Sequence, residues 1–141
     1  MALTRFEASL LAPVAGYFHR RSFRWQQNEM PFYDHRIDLY AFSTAKDVTI
    51  AVELKLNNWR KAFQQALIYS LCSDWVYIAA PVKTCGRVDQ DLLINNGIGL
   101  LAVYDTGRCR SIISPAISLE TRPHYRTAYI DLLRDAKHVK A

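Results

Sequence analysis

Asp38, Glu53 and Lys55 are the residues whose types and spacing could do phosphate chemistry. Over residues 48–56, apolar Ile50, Val52, Leu54 and Leu56 alternate with Thr49, Ala51, Glu53 and Lys55. That is the two-residue period of a strand, so Glu53 and Lys55 share a face. Residues 36–41 alternate likewise, with Ile37, Leu39 and Ala41 on one side and Arg36, Asp38 and Tyr40 on the other. A tight turn centred between Ala45 and Lys46 makes an antiparallel hairpin with Ser43 opposite Val48, and the same register carries Asp38 directly across from Glu53. Like charges directly opposite are destabilising. They suit a hard divalent cation, because magnesium is often held by one or two carboxylates while keeping several waters. Lys55 beside them would orient or deprotonate a water and offset charge on a phosphate. The plainer reading of the same residues is the solvent face of an amphipathic strand. Asp34 competes with Asp38 for the acidic role but pairs, in this register, beyond the end of the second strand.

The next segment adds to the pattern. Asn57 and Asn58 can cap a helix start, and residues 59–72 carry Ala62, Ala66 and Tyr69 at helical spacing, with Gln65 and Tyr69 four apart on one face. Asp38, then Glu53-x-Lys55 on a strand, then Gln65-x-x-x-Tyr69 on the following helix resembles the PD-(D/E)XK nuclease superfamily, in particular its RecB-like and Holliday-junction-resolvase-like branches. Ile37 stands where that family has a proline. The resemblance implies an α/β, restriction-endonuclease-like three-layer fold, a mixed central sheet flanked by helices with core order αβββαβαβ. It implies a DNA endonuclease or exonuclease that hydrolyses phosphodiesters with a metal-activated water, using Mg2+ or Mn2+. Asp38, Glu53 and the Leu54 carbonyl would be the ligands, Lys55 would position the water, and Gln65 and Tyr69 would shape the site and touch the phosphate. In many relatives an acidic residue on the first helix also faces the metal, which here would be Glu7. The alternative is a catalytically lapsed nucleic-acid-binding subunit or interaction module on the same fold. A remoter reading is a small-molecule enzyme or protein-interaction domain on an α/β scaffold.

Composition sets the frame for these residues. A chain of 141 residues, 50% hydrophobic, is enough for one domain with a real core, expected over residues 1–141. A net charge of +5 and a pI near 9.2 suit a polyanionic partner, with DNA the expected one. Cys72, Cys85 and Cys109 form no Cys-x-x-Cys pair, which argues for reduced thiols and against both a disulfide frame and a structural zinc. The apolar run 10–14 is short and broken by Pro13, unlike a secretory signal or a membrane span, so a cytoplasmic location without membrane attachment is expected.

The elements that must position the site follow in order. Residues 4–19 form an opening helix in which Thr4 and Glu7 make a capping box and Phe6, Leu10, Leu11, Val14 and Phe18 a buried stripe. Glu7 is therefore open between a cap and a metal ligand. His19, Arg20, Arg21 and Arg24 form a basic cluster that, with Arg60 and Lys61, is a candidate nucleic-acid contact or an ordinary solvated face. A short strand over 22–27 and a turn over 28–31 lead into the hairpin. Later come a buried strand over 75–80 ended by Pro81, a helix over 88–95 stopped at Asn96-Gly97, a buried strand over 98–104 and an edge strand over 109–113. A basic helix closes the chain at about 120–141, docking through Tyr129, Leu132 and Leu133 with Arg126, Arg134, Lys137 and Lys140 outward. No repeat or inserted domain interrupts this order. Recognition is then expected through backbone and shape, and strong sequence specificity through a homodimer or a partner subunit.

Overall fold

A 3-10 turn over Glu7–Leu10 leads into helix α1 (Leu11–His19). Strands β1 (Trp25–Phe32), β2 (His35–Ser43) and β3 (Val48–Leu54) follow as an antiparallel meander. Helix α2 (Trp59–Tyr69) crosses to β4 (Trp75–Pro81), which lies parallel to β3. The short helices α3 (Val82–Cys85) and α4 (Gln90–Asn95) cross to β5 (Gly99–Val103), again parallel. Strand β6 (Cys109–Ile113) returns antiparallel and α5 (Pro123–Lys140) closes the chain. This computed structural model describes residues 7–140. Its six strands form one mixed sheet in the order β1-β2-β3-β4-β5-β6, flanked by helices.

Both faces of the sheet are covered, so the alternation in β2 and β3 sorts residues between two cores. Leu39, Ala41, Ile50, Val52 and Leu54 pack under Val14, Tyr17 and Phe18 of α1. Tyr40, Phe42 and Ala51 face the other layer, with Ala62, Ala66 and Tyr69 of α2, Leu93 of α4 and Leu133 of α5. Glu53 belongs by parity to that second face and Asp38 meets it there, but Ile37, expected beside Leu39 and Ala41, packs instead with Tyr40 and Phe42, so the alternation of β2 breaks between Ile37 and Leu39. Asp38 and Glu53 are polar residues placed in a core row, only 5% and 3% exposed.

Several boundaries differ from the sequence reading. The expected cap Thr4 and stripe residue Phe6 lie outside the described residues. The α-helix starts at Leu11, which puts Pro13 in its first turn, where a missing N–H costs no helical bond. Residues 28–31 are strand, not turn: Pro31 pairs opposite Arg36, and the reversal falls at Tyr33 and Asp34. Strand β1 is a sheet edge, and the Pro31 carbonyl accepts from the Tyr129 hydroxyl, so the proline's nitrogen, on the same side, faces away from β2. Helix α2 ends at Tyr69 instead of running to Cys72. Helix α3, which the sequence reading lacked, starts directly after Pro81, and α4 starts after Asp89, whose side chain accepts from the Leu92 amide.

Helix α5 also docks differently. It begins with Pro123 at its first position, buries Ile130 and Leu133, and leaves Leu132 exposed. Arg126 points inward, not outward. Its Nε lies 2.9 Å from Asp74 Oδ2 and its Nη2 3.1 Å from Asp47 Oδ1. Asp74 Oδ2 also accepts from the Thr49 amide at 2.9 Å, so one carboxylate joins α5 to the starts of β3 and β4. Arg134 is exposed, with its guanidinium 5.6 Å from the Phe42 ring centroid. The side chains of Lys137 and Lys140 lie outside the described residues.

Removing that clamp should loosen the helix. Arg126→Ala is expected to lower unfolding stability by about 2 kcal/mol, the range for hydrogen bonds to charged groups, and Arg126→Lys to recover little because lysine cannot reproduce the two-point geometry. Urea unfolding measures both; an unchanged midpoint for Arg126→Ala would show that apolar contacts alone hold α5.

Candidate functional site

The register of β2 and β3 is the one expected. Ser43 pairs with Val48 and the ladder continues to Leu39 opposite Val52, so the next position sets Asp38 against Glu53. There the backbone ladder gives way to side-chain bonding: the Leu54 amide donates to Asp38 Oδ2 at 2.7 Å. On the other side the Lys55 amide donates to the Ala79 carbonyl at 3.0 Å, keeping the end of β3 tied to β4. The acidic pair thus sits at the carboxyl end of β3, the edge of a parallel sheet where ligands commonly bind.

Helix α2 supplies the roof. Asn58 caps it, accepting from the Lys61 amide at 3.3 Å. Side chains on a helix lean toward its N-terminus, and Tyr69 reaches back so that its hydroxyl lies 3.2 Å from Glu53 Oε1 and 3.1 Å from the Arg36 carbonyl. Tyr69 therefore fixes Glu53 in place. Gln65, one turn earlier on the same face, has its Oε1 buried with no hydrogen-bond partner. A buried acceptor without a partner carries a desolvation penalty of about 1–3 kcal/mol, which a water or a ligand donor would relieve.

Lys55 stands between two carboxylates, with Nζ 4.0 Å from Glu7 Oε2 and 3.9 Å from Glu53 Oε2. Both separations exceed hydrogen-bond length. The ammonium balances the acidic groups without being locked to either. Glu7 thus reaches the site from the α1 layer, over the edge of the sheet, while its suggested capping partner Thr4 lies outside the described residues.

Burial and mutual repulsion set the protonation of the pair. Burial pushes the Asp38 carboxyl up to about 6, opposed chiefly by the bond from the Leu54 amide. Burial, and then the neighbouring Asp38 charge, push Glu53 further, to about 8. The two groups are close enough to share a proton. Burial and the Glu53 charge also push the Tyr69 phenol up, keeping it a donor.

Two carboxylates, the Leu54 carbonyl and an unsatisfied amide oxygen are all hard donors, the kind that magnesium or manganese takes. The fit is to an ion that keeps much of its water. Among the described residues, no group of three or more His, Cys, Asp and Glu side chains is arranged to hold a metal ion.

The candidate nucleic-acid contacts separate. Arg60 and Lys61 are exposed in the first turn of α2, which follows the carboxyl end of β3. Arg20, Arg21 and Arg24 are exposed at the other end of the sheet: the Arg21 carbonyl accepts from Lys46 of the β2–β3 turn, at 3.1 Å. That turn is about 17 Å from Asp38 along β2, at roughly 3.3 Å per residue. The basic cluster is thus not a wall of the acidic site. Asp34 lies in the β1–β2 turn, outside the pairing, and leaves the acidic role to Asp38. One contributor carried no sequence signal: Thr84, after β4, donates its hydroxyl to the Leu56 carbonyl and pins the loop between β3 and α2.

No family model matches this chain, and no curated protein matches it. Among solved structures, the chain is similar to the SPO1766 protein of unknown function from Silicibacter pomeroyi, with a TM-score of 0.69 and 20% identity over 94% of this chain and 87% of that one. At that identity the likeness concerns the fold. No helix among the described residues is long and apolar enough to cross a membrane.

The shared proton gives a pH signature. In the unfolded chain Glu53 loses its proton near its ordinary value of 4.5, while in the folded chain it keeps it to about 8. Across that window the folded state binds more protons, so its stability falls as pH rises and levels off above it. Melting temperatures in chelator are expected to drop between pH 5 and pH 8, by roughly the scale of such linkage, and Glu53→Gln should flatten the slope. A wild-type slope retained in Glu53→Gln would mean that another group titrates.

Proposed function

We propose that this protein is a metal-dependent nuclease of the PD-(D/E)XK type, with the restriction-endonuclease-like arrangement, hydrolysing DNA phosphodiesters with Mg2+ or Mn2+. The observation that carries the reading is the convergence of Asp38, Glu53, Lys55 and Tyr69 at the carboxyl end of β3, with Gln65 one turn before Tyr69 on the same helix. A buried acidic pair works against stability once both groups ionise, and a cation in place of the shared proton would relieve that repulsion.

Bound divalent metal would supply Lewis acidity toward a phosphoryl oxygen and lower the pKa of a nearby water. Asp38, Glu53 and the Leu54 carbonyl would hold it, with Glu53 giving up its proton on binding. The chain's own groups do the rest. Tyr69 keeps Glu53 oriented by donating to Oε1. The buried Gln65 amide oxygen, one turn before Tyr69 on α2, would accept from a water or a ligand donor. Lys55 carries positive charge to the edge of the pair, where it lowers the energy of a phosphate as charge builds in the transition state. Hydrolysis forms a bond from water oxygen to phosphorus and breaks one phosphorus–oxygen ester bond.

A second reading is favoured by one observation. Among the described residues no group of three or more His, Cys, Asp and Glu side chains is arranged to hold a metal ion, and a fold with so spare an acidic site would also serve as a nucleic-acid-binding subunit that does not cut.

Cleavage separates the two. Supercoiled, linear and single-stranded DNA should be cut in Mg2+ or Mn2+ and left intact in chelator. Asp38→Asn, Glu53→Gln and Lys55→Ala, each shown to be folded, should lose at least about a hundredfold in rate. Cleavage by folded Glu53→Gln at the wild-type rate would reject the nuclease assignment, and no cleavage of any form would favour the binding subunit.

A further inference from the structure

The β1–β2 turn lies at the same end of the sheet as the acidic pair and carries a strained aromatic residue. Tyr33 has a φ of +54, the left-handed region that bulky residues avoid, and it is 65% exposed. A glycine or asparagine would suit that backbone better, and a ring so exposed recovers little by burial. Tyr33 does not stand alone. Its ring centroid is 4.7 Å from Phe32 and 5.9 Å from Tyr125 of α5, and the two tyrosine hydroxyls touch. Phe32, beneath them, is buried and lies 5.2 Å from Tyr125. The rings meet edge to face, at 64° to Phe32 and 77° to Tyr125, so the Tyr33 ring is a shelf braced at its side that keeps much of its surface open to solvent.

The shelf adjoins the site. His35, two residues after Tyr33, has its ring 6.4 Å from that of Tyr69, whose hydroxyl touches Glu53. Cations are near: Arg36, next to His35, is exposed, and exposed Arg122 accepts at its carbonyl from the Tyr125 amide at 3.1 Å. Exposed rings beside guanidinium groups are the combination that grips single strands, with bases stacked on the rings and phosphates on the cations. Paired bases in a duplex interior already have both faces stacked and cannot use such a shelf.

We propose that Tyr33, braced edge-on by Tyr125, forms a stacking platform for an unpaired base next to the scissile phosphate, which makes the preferred substrate single-stranded or frayed nucleic acid. This rests on the nuclease reading for what the platform serves, but binding to it can be measured without cutting.

The test is fluorescence anisotropy with the full chain in chelator. The probes are a labelled DNA strand of about 12 nucleotides, the same strand in a duplex, and an abasic strand of the same length. Wild type should bind the single strand most tightly and lose about tenfold or more on the abasic strand, the range for lost base–aromatic stacking. Tyr33→Gly, which suits the backbone, should melt no lower than wild type yet bind the single strand about tenfold more weakly. Tyr33→Phe should bind like wild type. Equal affinity for abasic or duplex DNA, or full affinity in Tyr33→Gly, would overturn the platform. If the platform binds as described but no strand is ever cut in Mg2+ or Mn2+, the nuclease reading fails and the platform stands.

Discussion

The bond from the Leu54 amide to Asp38 Oδ2 is the interaction on which the site depends. It closes the β2–β3 hairpin where the backbone ladder stops, holds one carboxylate against the end of β3, and thereby forces Glu53 to face it. Everything nearby responds to that placement. Tyr69 braces Glu53, Lys55 balances the charge, and the pair keeps a proton that separate carboxylates would have lost. A core row that could have held two apolar side chains holds two acids instead. Such a local conflict with stability is the usual mark of a functional position.

The large-scale architecture serves this arrangement. Strand β3 is antiparallel to β2 and parallel to β4, so its carboxyl end meets the beginning of one neighbour and the end of the other. Helix α2 leaves from that same end and returns across the sheet, bringing the Tyr69 hydroxyl against Glu53. Helix α1 covers the opposite face, and the 3-10 turn before it brings Glu7 to Lys55. The acidic pair is buried in one layer and bordered by the other.

Much of this was legible in the sequence because it rests on periodicity. The alternation from Arg36 to Leu56 and the turn at Ala45 and Lys46 were enough to set Ser43 against Val48, and the acidic pair followed by counting. The spacing of Gln65 and Tyr69 placed both on one helix face. What failed depended on long-range contacts. Pro31 reads as a turn residue unless β1 is known to be a sheet edge. Arg126 reads as a solvated residue unless Asp47 and Asp74 are known to meet beneath α5. Arg20, Arg21 and Arg24 seemed natural phosphate contacts, yet α1 carries them to the far end of the sheet. The role of Thr84 had no local signal at all, since its partner is Leu56.

The central claim is that Asp38 and Glu53 form a cation site, and direct Mn2+ binding followed by electron paramagnetic resonance tests it without any substrate. The account predicts one ion per chain, bound more tightly as pH rises toward 8 because binding must displace the proton on Glu53, and lost in both Asp38→Asn and Glu53→Gln. Binding that is unaffected by either substitution, or no binding at millimolar Mn2+ and pH 8, would contradict it.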